Sequence, residues 1–139
     1  ITCFLYSIHY SAELIRLQAC IASVHGALVT GGLFCFNAVD KHQIDNDSYV
    51  SHTTTQADTL LSFSSCWHYL GDGEQQSLKL RIEKKSAAER HVCMVAVSFS
   101  QLLALLVPYF EVHVLGHDYE TITPWDKTSG NAIFACVKI

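Results

Sequence analysis

The chain has 139 residues, 50% of them hydrophobic and only 16% charged, and 13 acidic side chains against 9 basic ones leave a net charge of −4. That length suits one domain, residues 1–139, with a sizeable core and little room for a second. The acidic balance excludes a nucleic-acid partner, which needs clustered cations to displace counterions; only Arg81, Lys84, Lys85 and Arg90 come near a cluster, and Glu83 and Glu89 interleave it.

In chain order, Ile1 to Tyr10 reads as a strand, and Ser11 to Gln18 admits either a short helical turn capped by Ser11 or a run into the next strand. Leu17 to Val24 and Ala27 to Phe36 read as two strands split by His25-Gly26, with Gly31-Gly32 as a bulge or kink in the second. Asn37 to Asp47 is a polar turn region. Ser48 to Thr55 and Leu60 to Tyr69 have the β-branched and aromatic content of strands. Leu78, Leu80 and Ile82 then alternate with Lys79, Arg81 and Glu83, the period of a strand with one wet face, while Val92 to Phe99 is apolar enough to be covered on both sides. The polar run Glu83 to His91 connects them as a hairpin unit. Gln101 to Val107 makes a helical turn or a loop ended by Pro108. Phe110 to Leu115 is a strand, Tyr119 to Thr123 pairs back, Pro124 to Gly130 loops out, and Asn131 to Ile139 closes the fold. Short strands at this spacing predict an all-β fold, a single β-sandwich of about seven to eight mainly antiparallel strands with at most one or two short helices. Its expected core holds Leu78, Leu80, Ile82, Val95, Val97, Val112, Val114 and Phe134.

The segment G-D-G-E-Q-Q-S-L-K-L-R-I, followed after a polar connector by V-C-M-V-A-V-S-F, resembles the TerD family of tellurium-resistance and stress-response proteins. In that family an acidic glycine loop leads into an amphipathic strand and then a buried one. Upstream, L-F-C-F-N-A-V-D-K-H-Q-I-D-N-D-S-Y-V is similar to its strand, polar turn and following strand, and F-E-V-H-V-L-G-H-D-Y-E-T-I with N-A-I-F-A-C-V-K-I is similar to its last three strands. The resemblance implies a β-sandwich and a calcium site at the acidic loop. The family's D-x-D-x-D strand is replaced by Ala27 to Gly31, A-L-V-T-G, and Gln75 and Gln76 stand where acids belong. Calcium takes six to eight oxygen ligands, so what the resemblance implies is at most a weak, degenerate site built on Asp72, Glu74 and Asp47, with Asp45 or Asp58 in reserve. No other cofactor is expected.

The remaining chemistry is sparse. The plain reading of Gly71 to Glu74 is a solvated turn chosen for its backbone geometry. His113 and His117 are four apart, a metal-ligand spacing on a helix that loses its meaning on a strand, and His68 and His91 stand beside them as ordinary polar residues or as further ligands. Cys66-Trp67-His68 and His91-Val92-Cys93 set a thiol near an imidazole without a recognisable orienting group or oxyanion hole, so no catalytic residue is assigned. Trp67, Tyr69 and Trp125, with Tyr119, lie near loops, where they either anchor a partner or cover the core.

Cys3, Cys20, Cys35, Cys66, Cys93 and Cys136 show no C-x-x-C pair. Four of them sit in apolar runs as small hydrophobes, and Cys35, Cys93 and Cys136 are expected to be buried thiols. That favours a cytoplasmic location over a secreted, disulfide-bridged one, although the sequon Asn46-Asp47-Ser48 fits the latter. A start at Ile1 rather than Met admits a processed precursor. A charged fraction below the roughly 25% of an average soluble domain points to a surface covered by a protein partner or a second copy. No apolar run reaches the roughly 18 to 20 residues of a membrane span. The functional expectation is therefore a non-enzymatic binding or assembly domain, with a secreted or particle-associated recognition module held by disulfides as the alternative.

Overall fold

A computed structural model of the chain describes residues 1–56, 59–83 and 87–139, and the side chains of residues 1–56, 61–77 and 90–139. Strand β1 (Thr2–Cys3) is followed by a 3-10 helix, Ser7–Ser11, and by helix α1 (Leu14–Ala27). Strand β2 (Leu33–Val39) leads through a second 3-10 turn, Lys41–Gln43, into strands β3 (Val50–Gln56), β4 (Thr59–His68), β5 (Gln75–Glu83) and β6 (Ala87–Val95). Helix α2 (Phe99–Leu106), strand β7 (Phe110–Leu115) and strand β8 (Asn131–Lys138) complete the order. The strands form two four-stranded sheets, β1-β2-β8-β7 and β3-β4-β5-β6.

The first sheet is mixed. β1 runs parallel to β2, while β8 is antiparallel to both β2 and β7. β7 therefore runs the same way as β1 and β2, and β8 is the one reversed strand. α1 is the crossover from β1 to β2, as a parallel pair requires. The second sheet, a plain antiparallel meander, is inserted between β2 and α2. This is an α/β architecture, not the all-β sandwich that the strand spacing predicts.

The principal misreading lies in the first third of the chain. Leu17 to Val24 forms a helix where a strand is expected, because Leu14, Leu17, Ile21, Val24 and Leu28 recur at three- and four-residue steps and share one helical face. Leu17 and Ile21 are buried on it, and the polar Arg16, Gln18 and Ser23 stay outside. Ile1 to Tyr10 yields only the two-residue β1 before the 3-10 helix begins. α2 starts with a capping box: the Ser98 hydroxyl accepts from the Gln101 N–H and the Gln101 side chain accepts from the Ser98 N–H at 3.0 Å. This ends the apolar run from Val92 as a strand at Val95 and continues it as a helix.

Both helices pack on one face of the first sheet, where Leu17, Ile21, Leu102 and Leu106 meet Phe34, Phe36, Phe134 and Cys136. Val95, Val97 and Phe134 are buried as expected, and Val112 and Val114 are half-buried against the same core. The side chains of Leu78, Leu80 and Ile82 lie outside the described residues, as do those of Lys79 and Arg81. The hairpin unit is real in its pairing, with Leu78 opposite Val92 and Ser77 opposite Cys93, but β6 begins at Ala87 rather than after His91. Tyr119 to Thr123 forms no strand; only a single bridge joins Leu115 to Pro124. Among the described residues no helix is long and apolar enough to cross a membrane.

Candidate functional site at the carboxyl ends of the parallel strands

In an open sheet with parallel strands, ligands bind in the crevice beyond the strands' carboxyl ends. Here those ends are Phe4 to Ser7 after β1, Asp40 to Ile44 after β2 and Gly116 to Tyr119 after β7, with Asn131 starting the reversed β8 beside them. Leu5 and Tyr6 both adopt left-handed backbone, at φ 55° and 57°, as does Tyr119 at φ 59°. Bulky residues rarely hold that conformation, and such strain gathers at functional sites.

The polar groups of these three ends converge on one imidazole. The Asn37 amide nitrogen lies 3.2 Å, the Tyr119 hydroxyl 3.1 Å and the Tyr6 hydroxyl 3.5 Å from His117 Nε2. The orientation of Asn37 is fixed by its other end, since its oxygen accepts from the Tyr6 main-chain N–H at 2.9 Å. Its NH₂ group therefore faces His117, and Nε2 must be the acceptor, with the ring proton on Nδ1. Tyr6 spends its own proton on the Asn131 side-chain oxygen at 3.3 Å. Burial holds the His117 pKa below its usual value, against a smaller upward pull from its own main-chain carbonyl. The Tyr6 hydroxyl is pushed up by burial and by neighbouring Tyr119, and partly relieved by Asn37.

Two cavities flank this cluster and share Asn131. One, of about 430 Å³, lies between His117, Asp118, Trp125, Asp126 and Ser129. The other, of about 250 Å³, runs between Tyr6, Val39 and Ile44 on one side and Val50, Ser65 and Trp67 of the second sheet on the other. The second sheet is fastened to the first by His9, whose Nε2 accepts from the Val39 N–H at 3.1 Å and whose Nδ1 lies 3.0 Å from the Val95 carbonyl. Trp67 packs edge-on against Tyr6 and His9, at ring separations of 5.4 and 5.6 Å.

Asp47, Asp72 and Glu74 are exposed, Asp58 lies outside the described residues, and no group of three His, Cys, Asp or Glu among the described residues could hold a metal ion. The left-handed backbone of Gly71 and Gly73, φ 93° and 75°, accounts for that loop as a turn into β5. His113 is exposed and 3.3 Å from Glu111, away from the cluster that holds His117. Tyr69 is buried, with its hydroxyl on the Gly73 carbonyl; Trp125 is half-buried edge-on to Phe99 and borders the cavity beside His117, and Trp67 walls the other cavity. The Cys66 thiol is buried on the Asn46 carbonyl; Cys136 is buried, Cys35 half-buried and Cys93 exposed, and Cys3, Cys20, Cys35, Cys93 and Cys136 carry free thiols. Sequence reasoning misses Tyr6, Asn37 and Asn131 as site residues. Its one available signal is Asn37, a buried polar residue inside the apolar run Leu33 to Val39.

No family model matches the chain, and no curated protein sequence does. Solved structures do match. The chain is similar to CalS10, a SAM-bound amino pentose methyltransferase from Micromonospora echinaspora, with a TM-score of 0.78 and 10% identity over 99% of this chain and 57% of that one. It is similar to a S-adenosylmethionine-dependent methyltransferase from Clostridium acetobutylicum, with a TM-score of 0.70 and 12% identity over 99% and 57%. It is also similar to the sugar N-methyltransferase KedS8 from a Streptoalloteichus species, with a TM-score of 0.69 and 15% identity over 99% and 54%. The chain thus spans a little more than half the length of these proteins, and the likeness establishes its fold as methyltransferase-like α/β. The TerD-like resemblance is overturned, and with it the β-sandwich and the tellurium-resistance and stress-response reading. The expected non-enzymatic assembly domain conflicts with these neighbours, and nothing in them supports its disulfide-held alternative. A glycine turn followed by an amphipathic strand is shared by any such hairpin, and it carried no information about the mixed sheet.

Proposed function

We propose that this chain forms the acceptor side of a S-adenosylmethionine-dependent methyltransferase that methylates an amino group of a small polar substrate. The observation that carries this reading is the coincidence of the methyltransferase-like fold, matched over 99% of the chain, with a polar cluster at the carboxyl ends of β1, β2 and β7. Two of the structural neighbours are named for amino pentose or sugar N-methylation, which supports the substrate class. When bound, the cofactor supplies an electrophilic methyl group on positively charged sulfur.

The residues present fit one wall of a site for that cofactor. Phe4 and Leu5, 37% and 83% exposed at the end of β1, would hold an apolar part of it. A G-x-G-x-x-G turn, which cradles a nucleotide in such sheets, does not occur in this sequence. The acceptor would lie in the cavity by His117. Asp118 and Asp126 border it, and hydrogen bonds hold both carboxyls below their usual range: chiefly the Thr121 hydroxyl for Asp118 and the Ser129 N–H for Asp126. Their negative charge suits an ammonium, and Ser129 and Thr123 suit hydroxyls. His117 Nε2 would accept the proton that the acceptor must lose. Burial makes His117 a weaker base than a free imidazole, so the proton it takes must come from a group far more acidic than a hydroxyl, as an ammonium is. An amine is the acceptor this base can serve.

The test is to incubate the gene product that carries this chain with S-adenosylmethionine and a panel of small primary amines, amino sugars included, and to follow products by mass spectrometry. The expected result is addition of one methyl group to an amine, with turnover reduced about 10²- to 10⁴-fold in His117→Asn. Failure to bind S-adenosylhomocysteine, together with no methylated product, would overturn the reading.

A further inference from the structure

His117 Nε2 has one lone pair and two donors aimed at it. The Asn37 NH₂ group, fixed by the Tyr6 main chain, donates at 3.2 Å, and the Tyr119 hydroxyl lies at 3.1 Å. The Tyr6 hydroxyl does not compete, because its proton goes to Asn131. The two competing donors are built differently. Asn37 is 1% exposed inside β2, whereas Tyr119 is 59% exposed on the loop after β7. Tyr119 holds a left-handed backbone that a bulky side chain rarely adopts, and its ring is supported edge-on by His117 at 4.7 Å and by Phe4 at 6.2 Å. Buried Asn37 orients the imidazole, while exposed Tyr119 is the donor that can leave.

We propose that the Tyr119 hydroxyl is a placeholder on His117 Nε2, occupying the position of the substrate's N–H and swinging out when an ammonium takes it. Its role is positional: it keeps the Nε2 lone pair occupied and the ring in place until the acceptor arrives. The step it prepares is a proton transfer. One N–H bond of the acceptor's ammonium breaks, its electron pair stays on nitrogen, and the proton goes to Nε2, which gives up the hydrogen bond from the Asn37 NH₂ group as it is protonated, and then from the imidazolium to solvent. The assignment of the acceptor rests on the methyltransferase reading, but the competition for the lone pair does not. The titratable groups around His117 are Tyr6, Tyr119 and the carboxylates Asp118 and Asp126 across the cavity.

The experiment compares the unmodified protein with Tyr119→Phe, which keeps the ring contacts and removes the donor. Carbethoxylation of individual histidines by diethylpyrocarbonate is followed by peptide mass spectrometry, with exposed His52 and His113 as internal references, and nitrogen NMR reports the His117 tautomer. The expected result is an unprotonated Nε2 at neutral pH, a severalfold faster modification of His117 alone in Tyr119→Phe, and an upward shift of its pKa. In the methylation assay the same variant should show a lower KM for the amine, since no donor has to be displaced. Equal modification rates in the two proteins, or a proton on Nε2, would overturn the proposal whether or not methyl transfer occurs. Absence of methyl transfer with the labelling result intact would overturn the functional reading and leave the placeholder standing.

Discussion

Two main-chain groups from different sheets, the Val39 N–H and the Val95 carbonyl, are held on opposite sides of the His9 ring. Val39 N can only donate, so Nε2 is the bare nitrogen and Nδ1 carries the proton to Val95. Gln76 donates to the same carbonyl at 3.0 Å. Burial lowers the His9 pKa to about 4, only partly offset by the Val95 bond, because a charged ring there would lose its solvation and set an N–H against the Val39 N–H. The unfolded chain, with a pKa of about 6.5, takes up the proton first as pH falls. The stability contributed by His9 is therefore complete above about pH 6.5 and declines towards pH 4, by on the order of 3 kcal/mol. Urea unfolding of the unmodified protein and of His9→Phe at several pH values should show the difference between them shrinking over that window. A difference independent of pH would mean that His9 is not held neutral. Nothing in the sequence separates His9 from the other seven histidines, because its role is set by two partners 30 and 86 residues away.

At the scale of elements, α1 and α2 decide whether the chain is a sandwich or an α/β fold. The face Leu14, Leu17, Ile21, Val24 and Leu28 is readable in the sequence, yet its high proportion of apolar and β-branched residues also fits strands. α2 was legible only in its second half, where Gln101 to Val107 admits a helical turn, because Val92 to Phe99 reads as one apolar run and masks the Ser98–Gln101 capping pair at its start. The two helices lend themselves to contrasting substitutions. Ile21→Ala, at a site 1% exposed, should cost about 2–5 kcal/mol by leaving a cavity against the sheet, and Ser98→Ala about 1 kcal/mol by losing the cap. Chemical denaturation measures both, and an Ile21→Ala protein as stable as the unmodified one would contradict the packing of α1 on β2. The strands of the second sheet were readable because alternation and turn residues are local signals. The order β1-β2-β8-β7 was not, because the pairing of β2 with β8 joins residues about a hundred positions apart.

For the whole molecule, the candidate site was hidden for the same reason. Tyr6, Asn37, His117, Tyr119 and Asn131 come from the ends of four strands, and no motif spacing links them; only the direction of those strands puts them together. The Gly71 loop, conspicuous as a motif, is a turn of the inserted sheet, and it meets these ends where the Gly73 carbonyl accepts from Lys41 Nζ at 3.4 Å. The location of the site at the carboxyl ends is the central claim, and ligand mapping tests it most directly. Backbone amide NMR of the gene product that carries this chain, titrated with S-adenosylhomocysteine and then glucosamine, should move resonances of Phe4 to Ser7, Asp40 to Ile44 and Gly116 to Tyr119. Shifts confined to Gly71 to Glu74, appearing with calcium and not with either of those compounds, would contradict it.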